Sequence, residues 1–519
     1  MLVTKSCTKI EMPLLSLQLK LKNQNHMKKL FVTLFITLFS ISMIAKENSV
    51  IEGEKSKDPF VGKWCGDLNI NPKIKLTIAF EISSLANGEY DAVMHSVDQK
   101  SYNINIDRIL ADGDSISIDI DMLAIRFKGR LITDTVSKQK TILKGIFGNP
   151  GSRGMALNLS KCNEFPFHIA KRPQEPKKPY PYHSENVCFI NTKEQISLSG
   201  TFTKPFGADN APAVVLISGS GPSDRNQTIF GHKVFLVIAD YLTRAGFAVL
   251  RYDDRGAGLS KGSFKNATVR DHAFDASSAI DYLKSRSDVD SSRIGLIGHS
   301  LGAEIAPITA TINNSTAFIV LMAGSAVSLR EVIFEQCDAI YKSAGVSTDG
   351  IALNRDILDS TMEIFKNSVN DSIAKEEIKR NLASFDSRVS ALTQSEREKI
   401  GLSSPLKISD YAKLLIPFMR YDLFHNPSET LKNVKCPVFA LIGDKDIQVL
   451  PYNLGLIEQA LISGGNTRVS TKLYKNRNHL LQSCITGEIE EYGDIEETIS
   501  EVVINDIINW INQSNEIKK

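Results

Sequence analysis

The sequence predicts an α/β protein whose mostly parallel sheet is interrupted by a helical cap and preceded by a β-rich domain. Between residues 188 and 515, apolar runs alternate with amphipathic stretches of helical spacing. That alternation is typical of a parallel sheet covered on both faces. Residues 328–430 interrupt it with charged, helix-forming sequence that has no strand-like runs. Residues 59–165 instead hold short β-branched segments separated by turn residues, which is typical of a barrel or sandwich.

The N-terminus has the pattern of an export signal. Two lysines precede a mainly apolar run, residues 30–45. This run fits a secretory signal of roughly 7–15 apolar residues better than a span of roughly 18 or more. We therefore expect residues 1–45 to be a leader and signal peptide, with translation starting at Met27. The protein would be periplasmic or secreted, with no stable membrane span after cleavage; the alternative is an anchor formed by this segment.

The composition is that of a globular protein without charge bias. Lysine and arginine number 61, aspartate and glutamate number 59, and 42% of the residues are hydrophobic. This balance gives no electrostatic reason to expect a nucleic-acid partner. At 519 residues, the chain is long enough for more than one hydrophobic core.

The β-rich domain is expected over residues 59–165, where segments such as "KLTIAFEI", "DSISIDI" and "TILKGIFG" alternate or are rich in β-branched residues. Cys65 lies in its first segment and Cys162 follows its last. The first and last strands of a closed barrel are neighbours, so a Cys65–Cys162 disulfide is predicted, with two buried thiols as the alternative. Residues 166–187 follow, and their prolines and basic residues predict a stiff, solvated linker.

One short motif suggests a nucleophile. Residues 298–302 read Gly-His-Ser-Leu-Gly, between the apolar run "RIGLIG" and the helix-like "AEIAPITATI". In a G-x-S-x-G turn from strand to helix, glycines such as Gly298 and Gly302 let the backbone fold tightly. Ser300 would then project at the C-terminal edge of the sheet. The alternative is a serine that merely caps the helix.

A serine nucleophile needs a base and an acid that orients the base. On a sheet of this kind the acid and then the histidine follow the serine along the chain. His425 and His479 follow Ser300, and His479 is the predicted base because it comes just after the last apolar strand, whereas His425 falls in the helical cap. In "GDKDIQV", Asp446 is the predicted acid over Asp444 because it lies further into the loop.

Backbone N–H groups are predicted to stabilise the developing oxyanion. The Leu301 N–H stands at the start of the helix after the nucleophile. The second donor is expected in "ISGSGPSDRN", where Gly219 and Gly221 allow close approach and the Ser220 N–H is best placed. No Gly-Lys-Ser/Thr follows, which argues against a nucleotide loop. The chain has no Cys-x-x-Cys or His-rich spacing either, so no metal or organic cofactor is expected.

Taken together, these blocks resemble the α/β-hydrolase superfamily, and specifically the serine-aminopeptidase-like group that includes EstD-type carboxylesterases. The matching blocks lie within residues 188–515 and read "SGSGPSDRN", "RYDDRGAGLS", "GHSLGAE", "CPVFALIGDKDIQV" and "NHLLQ". The resemblance implies an α/β-hydrolase fold with an inserted helical cap. It also implies a serine hydrolase with Ser300, Asp446 and His479 as its catalytic triad.

The resemblance carries two further implications. The family's "DDRG" block corresponds to Asp254, Arg255 and Gly256, which we interpret as loop architecture near the site rather than chemistry. Many relatives have glutamate directly after the nucleophile, where this chain has Leu301. That difference weakens any inference of peptidase specificity.

The expected function is hydrolysis of small-molecule carboxylic esters through an acyl-enzyme. A peptidase that uses the same triad is one alternative, and a secreted binding protein with a vestigial site is another. The walls of the pocket are expected to come from the helical cap, with Phe418, Tyr421 and Phe424 as candidate apolar residues.

Overall fold

The computed structural model describes residues 58–516, apart from residues 72–73, 86–87, 100, 107, 121–124, 134–139, 152, 403–405, 407 and 412–415. The predicted leader and signal peptide, residues 1–45, and the predicted start at Met27 lie outside the described residues. Within the described ranges, no helix is both long and apolar enough to cross a membrane.

The first sheet confirms a β-rich region near the N-terminus. Its nine strands are β1 (Gly62–Asn71), β2 (Ile74–Ser84), β3 (Tyr90–Ser96), β4 (Ser101–Asn105), β5 (Arg108–Asp112), β6 (Ser115–Ile120), β7 (Ile125–Thr133), β8 (Lys140–Gly148) and β9 (Met155–Cys162). A short 3-10 helix, Val97–Gln99, connects β3 and β4. The strands run antiparallel in the order β4-β3-β2-β1-β9-β8-β7-β6-β5.

This sheet curls around a single apolar core. In β9, Leu157 and Leu159 are buried while Asn158 between them is exposed, so side chains alternate between core and solvent. Strands β2 and β7 are not neighbours in the sheet, yet the rings of Phe80 and Phe127 stack at 5.7 Å. The sheet therefore closes on its apolar face like a barrel. Among the described residues its two end strands, β4 and β5, do not pair with each other.

Strands β1 and β9 are neighbours, as the sequence predicted. Lys63 pairs with Cys162, and Cys65 pairs with Ser160. The sulfur atoms of Cys65 and Cys162 are 3.8 Å apart, and both cysteines are free. The predicted disulfide is thus not formed in this structure, because a bond requires about 2.05 Å between the sulfurs. Burial, with a smaller effect of the Cys65 thiol, raises the pKa of Cys162 to about 11.

The second sheet lies in the C-terminal part of the chain. Its strands are β10 (His183–Asn191), β11 (Ile196–Lys204), β12 (Ala211–Ile217), β15 (Ala248–Tyr252), β16 (Val289–His299), β17 (Thr316–Met322), β18 (Val438–Gly443) and β19 (Val469–Tyr474), and a separate hairpin pairs β13 (Thr228–Ile229) with β14 (His232–Lys233). The sheet order is β10-β11-β15-β12-β16-β17-β18-β19. Pairs that involve β10 or β11 are antiparallel, and the pairs from β15 to β19 are parallel.

Helices cover both faces of the second sheet. They are α1 (Val234–Arg244), α2 (Val269–Lys284), α3 (Leu301–Ile312), α4 (Leu329–Ser343), α5 (Thr348–Asn367), α6 (Asp371–Ser390), α7 (Gln394–Lys399), α8 (Ile408–Tyr411), α9 (Pro417–Asp422), α10 (Pro427–Leu431), α11 (Asn453–Ser463) and α12 (Glu501–Glu516). A 3-10 helix, Ile489–Glu491, lies between β19 and α12.

The buried strands separate two cores. In β12, Val215 and Ile217 belong to one core, which α2 and α3 cover, while Val214 and Leu216 belong to the other, which α1 and α12 cover. This period-two alternation places apolar residues on both faces of the sheet. The loops that leave the C-terminal ends of the parallel strands are then brought together at one edge.

The helical segment, residues 329–431, lies between β17 and β18 and comprises α4 to α10. Three of its helices, α5, α6 and α7, begin at capping residues: the side chains of Ser347, Asn370 and Thr393 each accept a hydrogen bond from a backbone N–H of the first turn. Its buried residues, such as Met362 and Ile378, join the same core as one face of the sheet. The segment is therefore packed onto the α/β region.

The Pro-rich linker, residues 166–187, is exposed in part, for example over residues 177–179, but two of its side chains anchor it to the second sheet region and its last residues belong to β10. The guanidinium of Arg172 donates hydrogen bonds to the backbone oxygens of Phe230, Gly493 and Ile495 at 2.8–3.0 Å. Gln174 donates to the backbone oxygen of Ile499 at 2.8 Å. A guanidinium has five donors in a fixed fork, so one side chain connects several loops.

Candidate active site

Ser300 occupies a strained turn between β16 and α3. Its backbone has φ +56° and ψ −120°, and its N–H donates to the backbone oxygen of Met322 at 2.8 Å. Non-glycine residues rarely adopt positive φ, and such strain concentrates at functional sites. The Ser300 side chain makes no capping hydrogen bond to the helix. The alternative of a capping serine is therefore wrong.

The two glycines of the motif are required by lack of space. A Cβ on Gly298 would lie 2.0 Å from the backbone oxygen of Gly302. A Cβ on Gly302 would lie 2.1 Å from the backbone oxygen of Ile217. Side chains at either position would force strand and helix apart. The turn can thus place Ser300 at the edge of the sheet only when positions 298 and 302 are glycine.

The structure brings His479 and Asp446 together. His479 Nδ1 lies 2.8 Å from Asp446 Oδ2, and both side chains are buried. The other carboxylate oxygen of Asp446 accepts hydrogen bonds from the backbone N–H groups of Gln448 and Val449, each at 2.9 Å. These bonds fix the carboxylate, and the carboxylate in turn fixes the imidazole with Nε2 turned away from Asp446. This is the arrangement that a general base requires.

The two alternative residues lie elsewhere. Asp444 is exposed, and its carboxylate accepts a hydrogen bond from the backbone N–H of Asn476 at 2.6 Å. His425 lies in the helical segment, where its Nε2 is 3.3 Å from the Thr430 hydroxyl. Asp444 thus holds a turn, as expected of the carboxylate that does not pair with the base.

Ser300 and His479 line one small cavity of about 40 Å³. The other residues that line it are Gly219, Ser220, Gln227, Ile229, Phe230, His299, Gln448, Leu480 and Tyr492. Among the described residues, the Ser300 hydroxyl makes no direct hydrogen bond to His479. Such bonds are often long without substrate and shorten in the reacting complex.

The predicted oxyanion donors border the same cavity. Ser220 and Gly219 line it, and Gly221 has φ +88°, a conformation that glycine adopts without strain. A Cβ on Gly219 would lie 3.3 Å from Ser300 Cβ, so the loop after β12 passes directly beside the nucleophile. Leu301 begins α3, where the first backbone N–H groups have no partner within the helix.

Buried ionic groups hold this loop in place. The Asp254 carboxylate accepts a hydrogen bond from the Ser223 N–H at 2.9 Å, and the Asp254 N–H donates to the Ser223 oxygen at 3.0 Å. Burial raises the pKa of Asp254 well above its usual value. Arg255 pairs with Asp275 at 2.6 Å and with Glu194 at 2.8 Å. The "DDRG" block therefore supports loops around the site, as the sequence indicated.

His299 connects three parts of the site. Its Nε2 lies 2.9 Å from the backbone oxygen of His479, and its Nδ1 lies 2.6 Å from Gln227 Nε2. Burial, with a smaller effect of His479, lowers the pKa of His299 to about 3, so the ring is neutral at ordinary pH. The nucleophile turn, the loop of the base and the segment after the oxyanion loop are thus joined by one imidazole.

The walls near Ser300 come from two loops rather than from the helical segment. Ile229 and Phe230 belong to the β13–β14 hairpin, and Leu480 and Tyr492 follow β19. The rings of Phe230 and Tyr492 meet edge to face at 5.8 Å. Both segments leave the C-terminal ends of parallel strands, β12 and β19, at the edge of the sheet where Ser300 lies. Their side chains are therefore placed beside Ser300.

The predicted wall residues of the helical segment lie away from Ser300. Phe424 lines a larger pocket of about 480 Å³, together with residues such as Arg330 and Lys366, and no residue of the predicted triad lines it. Tyr421 is exposed, and the Phe418 side chain lies outside the described part of the chain. The expectation that Tyr421 and Phe424 line the catalytic pocket is wrong, because helical spacing does not tell which face meets the site.

Sequence reasoning missed Gln227, His299, Phe230, Tyr492 and Arg172. The only local signal was the position of His299 inside the G-x-S-x-G motif. The others come together through contacts between distant parts of the chain, such as Arg172 with Ile495, 323 positions apart. In the described part of the chain, no group of three or more His, Cys, Asp or Glu side chains is placed to hold a metal ion.

Parts of the chain are similar in sequence to known hydrolases. Residues 232–391 match the family described as serine aminopeptidase, S33. Esterase EstD of Thermotoga maritima is 29% identical over 323 residues, which cover 60% of this chain and 65% of that protein. An acyl transferase of Photobacterium phosphoreum is 31% identical over 206 residues, 35% of this chain and 62% of that protein. The chain thus spans less than two thirds of the length of either relative.

Solved structures give a fainter likeness. A Pyrococcus furiosus esterase, Pf2001, is 14% identical with a TM-score of 0.39, covering 68% of this chain and 99% of that one. Est1E from Butyrivibrio proteoclasticus, with ferulic acid bound, is 13% identical with a TM-score of 0.36, covering 64% and 100%. The sequence comparisons confirm the resemblance to the α/β-hydrolase superfamily and to EstD.

Proposed function

We propose that this chain, which resembles esterases of the α/β-hydrolase superfamily, is a serine hydrolase that cleaves small carboxylic esters. The observation that carries the proposal is the convergence of Ser300 and the His479–Asp446 pair on one cavity, with the nucleophile on a strained strand-to-helix turn. A weak hydroxyl nucleophile needs a base oriented by a third group, and these residues supply both.

The reaction would follow two acyl-transfer steps. His479 Nε2 takes the Ser300 proton as Oγ attacks the ester carbonyl, and the N–H groups of Leu301 and Ser220 stabilise the oxyanion. His479 then gives the proton to the leaving alcohol, and an acyl-enzyme remains. Water, activated by the same imidazole, releases the acid. Asp446 keeps the imidazole in the required tautomer throughout.

The lining of the cavity favours esters over aminoacyl compounds. The matched family is described as serine aminopeptidase, which makes a peptidase the second candidate. An aminopeptidase must balance a substrate ammonium, because an unpaired charge in a closed pocket is costly. The cavity is lined by amides, hydroxyls, histidines, glycines and apolar groups, and no carboxylate is among its described lining residues. Leu301 also stands where many relatives have glutamate.

The test is a comparison of kcat/KM for paired substrates. Aryl esters of short acids should be hydrolysed well, and the matching aminoacyl anilides poorly. Faster turnover of the anilides would replace the esterase by the peptidase and leave the triad in place. A fluorophosphonate should label Ser300; an unlabelled Ser300 would support a binding protein with a vestigial site instead.

The proposal includes export and the role of the helical segment. Export rests on the pattern of residues 1–45, and cell fractionation with N-terminal sequencing of the mature protein would test it. The helical segment adjoins the sheet edge but supplies none of the described residues that line the catalytic cavity. It would act as a cap rather than as the wall beside Ser300.

A further inference from the structure

The carboxamide of Gln227 is a buried polar group that lines the proposed catalytic cavity and whose oxygen makes no hydrogen bond to the described residues. Gln227 is fully buried, and it lines the cavity together with Ser300. Its Oε1 has no hydrogen-bond partner among the described residues. Leaving a buried acceptor unsatisfied costs about 1–3 kcal/mol, so most such groups in proteins have a partner.

The orientation of this carboxamide follows from its neighbours. The backbone oxygen of His479 can only accept, so His299 Nε2 must carry the proton and donate to it at 2.9 Å. The His299 ring is buried and neutral, which leaves Nδ1 as an acceptor. Gln227 must then present its N–H to Nδ1, at 2.6 Å. A flip of the amide would put two acceptors face to face.

The oxygen is therefore the unpaired atom of a side chain that lies close to Ser300. A Cβ on Gly219 would lie 3.4 Å from Gln227 Nε2 and 3.3 Å from Ser300 Cβ, so the amide and the serine flank the same glycine. The Gln227 backbone has φ +47°, and its N–H donates to the Asp224 oxygen at 2.9 Å. The backbone thus fixes the side chain at the cavity.

We propose that Gln227 is a substrate-binding residue whose Oε1 accepts a hydrogen bond from a hydroxyl or amide N–H carried by the ester near its carbonyl. This rests on the proposed function and names its substrate class: esters with a hydrogen-bond donor on either the acyl or the alcohol side. A site built to bond such a donor discriminates against the analogue that lacks it, because the acceptor is then left unpaired.

The test uses substrates that differ only in the donor. Phenyl hydroxyacetate and phenyl methoxyacetate probe the acyl side, because both carry an electron-withdrawing oxygen but only the first has an O–H. Monoacetyl glycol and its methyl ether probe the alcohol side. We expect the purified full chain to prefer the hydroxyl member of one pair by about tenfold in kcat/KM. Equal rates in both pairs would overturn the proposal without any variant.

Two variants separate substrate binding from support of His299. Gln227→Met removes the acceptor and the N–H and should bring the preference to within about twofold. Gln227→Glu removes the N–H but keeps an acceptor oxygen, so the preference should remain even where overall activity falls. A residue that only holds His299 would lower both esters equally in both variants. A preference that survives in Gln227→Met would also overturn the proposal.

Fluorophosphonate labelling distinguishes this failure from failure of the proposed function. Labelled Ser300 and ester turnover without hydroxyl preference would overturn the Gln227 site alone. Absence of both labelling and ester turnover in the unmodified chain would overturn the proposed function, and the Gln227 site with it.

Discussion

The loops at the strand ends and the helical segment differ in what they supply around Ser300. Loops after β12, β16, β18 and β19 carry the proposed nucleophile, base and acid and the residues that line the small cavity. The helical segment, although longer, lines a separate pocket of about 480 Å³ with none of the triad residues. The size of a pocket is thus a poor guide to the position of the proposed chemistry in this molecule.

The physical difference lies in how each region is held. The strand-end loops are held by buried polar bonds, such as Arg225 with Asp253 at 2.6 Å and His232 with Thr498 at 3.0 Å. The helical segment is held mainly by apolar burial, with ion pairs such as Lys379 with Glu376 on its exposed side. Directional bonds can position reacting atoms, whereas apolar packing mainly fills space.

The largest expected effect on kcat comes from substitutions in the strand-end loops at the proposed nucleophile or base. Ser300→Ala and His479→Ala should each lower kcat by roughly 10⁴ to 10⁶ with little change in fold, because a triad acts as a unit. Steady-state kinetics and circular dichroism check both points. The double variant should be scarcely worse than either single one. Residual activity above one hundredth of the original would contradict the assignment.

The next effect separates the roles of two aspartates that lie two residues apart in the loop after β18. Asp446→Asn should lower kcat by about 10³ to 10⁴, because the amide N–H would favour the wrong tautomer of His479. Asp444→Asn is the matched control and should change kcat by less than about threefold, because its oxygen still accepts from the Asn476 N–H. A more damaging Asp444→Asn would exchange the two assignments.

These residues could be predicted from the sequence because each directly follows an apolar strand. Ser300 follows β16, Asp446 follows β18 and His479 follows β19, so the order of strands along the chain brings them to one edge. The β-rich region and the adjacency of Cys65 and Cys162 followed from strand order in the same way. Each of these predictions needed only local periodicity and connectivity.

The cavity wall could not be predicted in this way. Phe230 lies in the turn between two strands of two residues each, and Tyr492 follows a 3-10 helix, and these elements are too short for a periodic signal. Arg172 bonds to both loops only because the linker folds back onto the second sheet region. For Tyr421 and Phe424, helical spacing marked an apolar stripe but not the surface that it covers.

A tenfold change in acyl-chain preference should show whether the strand-end loops or the helical segment form the wall of the cavity. Phe230→Ala opens the cavity, so the ratio of kcat/KM for butanoyl over acetyl aryl esters, which differ by two CH₂ groups, should rise about tenfold, at about 0.8 kcal/mol per accommodated CH₂. Phe424→Ala, the matched change in the helical segment, should shift the ratio by less than about twofold. If both variants shifted this ratio equally, the helical segment would also form a wall of the catalytic cavity, contrary to the difference proposed between the two regions.

The smallest effect concerns acid stability, which should differ between the same two regions. Burial, the largest cause, lowers the pKa of His299 and of His232 to about 3, while the usual value is near 6.5. Below about pH 6.5 these two histidines are therefore protonated in the unfolded chain but stay neutral in the folded one. Stability is complete above that pH and falls by up to about 1.4 kcal/mol per histidine per pH unit below it. At pH 5, protection from hydrogen exchange, relative to the intrinsic rate at that pH, should fall in residues 479–492 before it falls in the helical segment, and His299→Gln should lessen the pH dependence. An equal loss of protection in residues 479–492 and in the helical segment would contradict this prediction.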